Sequence, residues 1–271
     1  MTDPTLEYYD SDPEGFFDRT VGSDMSDARA RFLAHLEPGA RVLDLGCGSC
    51  RDTLAFRDAG YDAVPADASE GMRRLARERL GVEVLPLSFG DLDFDGEFDG
   101  VWACASLLHV PSAELPGVLG RVRRSLRHGG AFFCCFKAGE FEGVRDGRFY
   151  TDMTVEALAA LLEGCGFSVA EAWASEGARD SWANAVSVRR RGLVRYRNLR
   201  FRKSALTHTV RLRYQWGMNG VSPRCGQSGA LRLQLSAHRY RRRGGDSTKL
   251  FLLTFSWSWT GIRVIALLLR R

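Results

Sequence analysis

The chain has 271 residues and 45% hydrophobic content, enough for one large domain or two small ones with a real core. Its opening stretch, MTDPTLEYYDSDPEG, is polar and acidic, with no visible secretory signal, which predicts a cytoplasmic location by default; the seven cysteines lack framework spacing, which suits buried reduced thiols better than disulfides. The net charge of +5 conceals a split: residues 1–188 hold 18 basic and 32 acidic residues, a net −14, and residues 189–271 hold 20 basic residues against the single acid Asp246, a net +19.

That break predicts three parts: a lid segment and helix over residues 1–39, a catalytic domain over 40–190, and a basic extension over 191–271. Residues 7–24 read as irregular and rich in aromatics and acids, long enough to fold over a ligand, and residues 24–40 as a helix. RVLDL (41–45) is strand-like, and CRDTLAFRDAG follows as a helix closed by Gly60. YDAVPAD (61–67) is a second strand. Ser69 caps the next helix, with Met72, Leu75, Ala76 and Leu80 on one face and Gly81 as its stop. VEVLPL and FDGVWACA (98–105) are the third and fourth strands. A helix capped by Ser112 follows, carrying Leu115, Val118, Leu119, Val122 and Leu126 at the helical period.

AFFCCFK (131–137) is apolar throughout, as a strand covered on both faces requires. A helix from Thr154 to about Cys165 precedes strands at FSVAEAWA and WANAVSVRR, separated by a short loop. Strands alternating with helices predict an α/β fold: a mostly parallel sheet, helices on both faces, and an antiparallel hairpin at its C-terminal edge.

The turn LDLGCGSCRDT (43–53) lies at the carboxyl end of the first strand, where open sheets of this kind bind ligands. A dinucleotide fingerprint needs a third glycine, and Arg51 occupies that position. Asp44 sits just before the turn, where it repels a pyrophosphate but suits a ligand with cationic or hydroxyl groups. It also suits a simple helix cap. Asp67, 21 residues beyond Gly46, ends the second strand where a carboxylate can accept ribose hydroxyls. Asp91 is placed to take an adenine amino proton and Leu92 to cover the ring. Cys47 and Cys50 form a Cys-x-x-Cys pair, but with no second pair and no histidine cluster no metal is predicted.

With VLDLGCGSCRD, ADAS, FGDLDF, FDGVWACASLLHVP and GRFYTDMTVEALAALLEGCGF in order, residues 7–189 resemble the class I S-adenosylmethionine-dependent methyltransferases, particularly small bacterial ones of the tellurite-resistance-like type. The resemblance implies a Rossmann-like seven-stranded sheet and S-adenosylmethionine as cofactor. It further implies Asp44, Gly46 and Gly48 along the methionine and ribose, Asp67 and the adjoining Ala68 at the ribose, Asp91 and Leu92 beside adenine, and Ala103 at the end of the fourth strand. Cys50 departs from the glycine or small residue common at its place.

Methyl transfer needs alignment, and a base only when the acceptor must lose a proton. His109, beyond the fourth strand, suits that base and equally a cap on the turn HVPS. Tyr9 and Arg19 in the lid suit contacts to cofactor or substrate and equally the surface. Neither an Asn/Asp-Pro-Pro-aromatic motif nor a Pro-Cys nucleophile is present, and a net −14 repels a polyanion, so a small-molecule acceptor is expected.

The extension has three open readings. Its basic runs with tyrosines suit nucleic acid, which makes a nucleic-acid-binding protein or methyltransferase the alternative function. Its apolar run at 250–269 is long enough to span a bilayer, although the central Arg263 costs about 2.5–3.5 kcal/mol there. It also reads as an unselected stretch, irregular or disordered, with no fold of its own.

Overall fold

A computed structural model describes residues 4–177 and 179–190 in full and, beyond them, the backbone of five strands between 197 and 269. Contacts divide the chain into two units, Met1–Arg191 and Gly192–Arg271.

The first unit opens with helices α1 (Pro4–Ser11) and α2 (Pro13–Thr20), where the sequence predicts irregular chain. Each begins on a proline, whose missing N–H costs nothing in a first turn, and the Asp12 carboxylate accepts the Gly15 N–H at 2.9 Å to cap α2. Next come α3 (Ser26–Leu33), β1 (Arg41–Leu45), α4 (Arg51–Asp58), β2 (Asp62–Asp67), α5 (Glu70–Leu80), β3 (Leu85–Pro86) and β4 (Phe98–Ala103). They are followed by α6 (Leu115–Ser125), β5 (Leu126–Lys137), β6 (Glu142–Arg145), β7 (Arg148–Thr151), α7 (Val155–Gly164), β8 (Phe167–Glu176) and β9 (Ser181–Arg189).

Seven strands form one sheet in the order β3-β2-β1-β4-β5-β9-β8. The first five are parallel; β9 runs against both β5 and β8, which is the expected edge hairpin. Strand order reverses between β1 and β4, so a crevice opens beyond their carboxyl ends.

Side chains alternate across this sheet. Val42, Trp102, Phe133 and Cys135 face α3 and α4 through Phe32 and Phe56. Leu43, Val101, Phe132 and Phe136 face α6 and α7 through Leu119, Leu158 and Leu162.

Three local readings need correction. Leu126, expected on the helix after Ser112, instead opens β5. Ser112 caps no helix: its N–H donates to the Glu142 carboxylate at 3.0 Å, residues 112–114 form a turn, and α6 starts at Leu115. The hairpin β6–β7, which pairs Val144 with Phe149, has no counterpart in the sequence reading, because Gly143 and two arginines break the apolar pattern of strands.

In the second unit, β10 (Arg197–Lys203) pairs antiparallel with β11 (Leu206–Leu212). Strands β12 (Leu231–Arg239), β13 (Lys249–Trp257) and β14 (Arg263–Leu269) form an antiparallel sheet. Within them, LRLQL alternates at period two and KLFLLTFSW is rich in aromatics, which suits extended backbone. The run 250–269, long enough in sequence to span a bilayer, falls on β13 and β14; residues 258–262 lie outside the described residues. Among the described residues no helix is long and apolar enough to cross a membrane.

Candidate active site

The turn after β1 is held open by left-handed backbone. Gly46, Gly48 and Cys50 have φ of +76°, +51° and +56°. The Gly46 and Cys47 amides donate to the Ala66 carbonyl on β2 at 2.8 and 3.0 Å. A Cβ on Gly46 would lie 2.5 Å from Cβ of Ser106, whose hydroxyl bonds the Leu45 carbonyl at 2.8 Å. Only glycine fits there. Cys50 accepts the strained conformation with its side chain fully buried and its sulfur 3.7 Å from that of Cys47.

Three carboxylates surround this turn, each in a different state. Asp67 accepts the Gly48 N–H on one oxygen at 2.8 Å and the Ser69 N–H on the other at 2.9 Å. Burial raises its pKa, against the pull of those amides. Asp44, 2% exposed, accepts the Thr53 hydroxyl at 2.5 Å, and burial followed by the charge of Asp52 pushes it up to about 7. Asp52 is also buried, but Arg51 and Arg29 each reach it at 2.6 Å and the Trp102 indole N–H at 3.0 Å, which holds it below the carboxylate range. Trp102 lies flat on Phe133, with centroids 3.9 Å apart.

A second wall faces the turn. The Tyr9 hydroxyl lies 2.8 Å from His109 Nε2, and His109 Nδ1 lies 2.7 Å from the Phe149 carbonyl on β7. A carbonyl only accepts, so Nδ1 carries the proton, and in the neutral imidazole the Tyr9 hydroxyl donates to Nε2. Burial pushes the Tyr9 phenol up to about 12, against the Arg148 guanidinium beside it. Arg148 stacks over Tyr8 at 4.2 Å and over Tyr150 at 5.2 Å.

Both walls line a single cavity of about 410 Å³, within the usual range for small-molecule sites. Of the expected residues, Asp44, Gly46, Gly48, Asp67, Ala68 and His109 line it together. Asp91, Leu92 and Ala103 do not. A 3₁₀ turn at Phe89–Asp91 sends fully buried Leu92 into the core and leaves Asp91 exposed, bonded to the Ser88 hydroxyl at 2.6 Å. The wall there is Leu87, Ser88, Phe89 and Gly90. Ala103 is likewise core, and Cys104, Ala105 and Ser106 take the lining position because β4 ends one residue before them.

Arg51 and Asp52 also line the cavity; the run GSCRDT carries that signal, whereas the glycine spacing marks Arg51 only as a missing glycine. The hydroxyl of Tyr9 and the ring of Phe16 form the roof, far from the turn in sequence. Arg19 is absent from the lining; it is exposed and pairs with Asp12 at 3.5 Å. Among the described residues no cluster fit for a metal ion occurs.

Residues 42–130 match the family described as Methyltransferase domain. A demethylmenaquinone methyltransferase of Clavibacter sepedonicus is 31% identical over 177 residues, 59% of this chain and 69% of that protein. A cypemycin N-terminal methyltransferase of a Streptomyces species is 36% identical over 110 residues, 38% of this chain and 45% of that one. In fold, the 1,6-didemethyltoxoflavin-N1-methyltransferase of Burkholderia thailandensis, solved with 1,6-didemethyltoxoflavin and S-adenosylhomocysteine, superposes with a TM-score of 0.57 at 23% identity, over 68% of this chain and 85% of that one. The chain spans about half the length of the first curated relatives it matches, 47% and 45% of theirs.

Proposed function

The chain belongs to the S-adenosylmethionine-dependent methyltransferases, and we propose that it methylates a small-molecule acceptor held between the glycine turn and the Tyr9–His109 pair. The observation that carries this reading is that one cavity joins the two walls. The residues fit the cofactor: Gly46 and Gly48 leave backbone where a Cβ would meet Ser106 or Phe16, and Asp67 keeps lone pairs for ribose hydroxyls beyond its two amide bonds. Asp44 and Arg51 offer opposite charges to the amino and carboxylate groups of the methionine part. The bound cofactor supplies a methyl group on an already activated sulfur.

The protein's task is then alignment and exclusion of water. His109 is the group we assign to take a proton from a protic acceptor. Because its Nε2 already receives the Tyr9 hydroxyl, the proton reaches it through that phenol. The motif order supports placing the chain near the small bacterial, tellurite-resistance-like members. The nucleic-acid alternative rests on the composition of residues 189–271 alone, and a net −14 on the cavity-bearing part argues against it.

Calorimetry with S-adenosylhomocysteine and with NAD tests the cofactor assignment; we expect binding of the first alone. Incubation with methyl-labelled cofactor and either a deproteinised small-molecule extract or total RNA tests the acceptor class. Label in the RNA and none in the extract would overturn the small-molecule reading.

A further inference from the structure

Helix α1 reaches both walls of the cavity, and one residue next to Tyr9 fixes it. Oδ1 of Asp10 accepts the Ser69 hydroxyl at 2.6 Å and the Gly71 N–H at 2.9 Å, both at the N-terminus of α5. Ser69 is the cap of that helix, and its own N–H is held by Asp67 in the cofactor wall. On the other side, Tyr9 bonds His109 and the Thr5 hydroxyl accepts the Phe149 N–H at 3.1 Å.

Neighbouring residues on a helix point about 100° apart, so a helix seated by Asp10 on α5 sends Tyr9 toward the cavity. An independent observation supports the close seating. A Cβ on Gly71 would lie 3.2 Å from Oδ1 and 3.3 Å from Cα of Asp10, and 3.2 Å from Pro13. The glycine at that position admits the helix; a larger residue pushes against it.

We propose that Asp10 is a positioning residue: its carboxylate latches α1 onto the N-terminus of α5 and thereby holds the Tyr9 hydroxyl against His109, so that one strap assembles the acceptor wall on the cofactor wall. This rests on reading the cavity as a joint cofactor and acceptor site. One oxygen of that carboxylate accepts both a hydroxyl and an amide of the first turn of α5. The acceptor's proton path then depends on a residue that never meets the acceptor.

The test reads the His109 imidazole by ¹⁵N NMR in the full chain, with its signal among the five histidines assigned from His109→Gln. Asp10→Ala and Gly71→Ala are expected to move the Nε2 resonance as far as Tyr9→Phe does, while Asp10→Asn, which keeps an accepting oxygen, restores the wild-type signal. A role confined to capping α5 lowers the melting temperature but leaves the Nε2 resonance in place, and that result overturns the proposal. The imidazole signal reports on the latch with no ligand added. A wild-type chain that fails to bind S-adenosylhomocysteine therefore defeats the methyltransferase reading, and an unmoved Nε2 signal defeats the latch.

Discussion

The wall we read as the cofactor side is built around a glycine turn within residues 44–68, whereas the wall we read as the acceptor side is made of side-chain tips from α1, from the loop after β4 and, behind them, from β7. In the first, geometry is set by left-handed turns and by amides that leave no alternative arrangement. In the second, a phenol bonds an imidazole, and a guanidinium stacks on the neighbouring tyrosine rings. The difference teaches where substitutions hurt. Backbone-built sites fail through strain, and side-chain-built sites fail through loss of one contact.

The most damaging change should therefore be Gly46→Val. It adds a β-branched side chain at φ +76° with its Cβ 2.5 Å from that of Ser106. A loss of about 2–4 kcal/mol of stability by denaturant titration, with cofactor binding reduced more than about a hundredfold, is the expected outcome. Full binding by this variant would break the contrast between the walls.

Asp67→Ala comes next, with S-adenosylmethionine affinity falling by about 1–3 kcal/mol in calorimetry. As a ligand-facing acid at a strand end, it looks dispensable to the apo fold. The structure reverses that expectation: the amides of Gly48 and Ser69 both lose their acceptor, so the apo melting temperature should fall as well.

A third effect concerns pH. Asp44 titrates near 7 in the folded chain, above its unfolded value. Between about pH 4 and 7 the folded state holds a proton that the unfolded chain releases, so apo stability falls as pH rises through that window. A cationic ligand favours the ionised form, so affinity for S-adenosylmethionine should rise about tenfold from pH 6 to 8. Asp44→Asn should flatten both profiles; a persisting slope would assign the proton to another group.

The smallest effect belongs to the acceptor wall. His109→Gln should change S-adenosylhomocysteine affinity by about threefold or less, because the imidazole touches the roof helix and β7 rather than the turn. A large loss would merge the two walls into one functional unit and sharpen the role of α1.

The same contrast explains what was legible beforehand. Strand-helix alternation from Arg41 to Arg189 is a local pattern, and the seven-stranded sheet with its edge hairpin follows from it. Asp44, Gly46, Gly48, Asp67 and Ala68 are readable because a strand end, a glycine turn and the next strand end are close in sequence. Asp91, Leu92 and Ala103 miss the cavity by one or two residues: periodicity locates an element, but a 3₁₀ turn or the last residue of a strand decides which side chain faces in. Tyr9 and His109 lie 100 positions apart, and no spacing rule connects them. Helices α1 and α2 were hidden for a similar reason, since aromatic and acidic residues obscure an amphipathic period that their opening prolines announce.

The stacked pair Trp102 and Phe133 has a practical consequence. The indole N–H is bonded to Asp52, and Asp52 is bonded to Arg51, which reaches into the cavity. A ligand carboxylate that draws Arg51 away alters the charge beside the indole, and fluorescence emission responds to such local fields. Emission measured on titrating S-adenosylhomocysteine would read that displacement, and among the six tryptophans Trp102→Phe identifies its share of the signal.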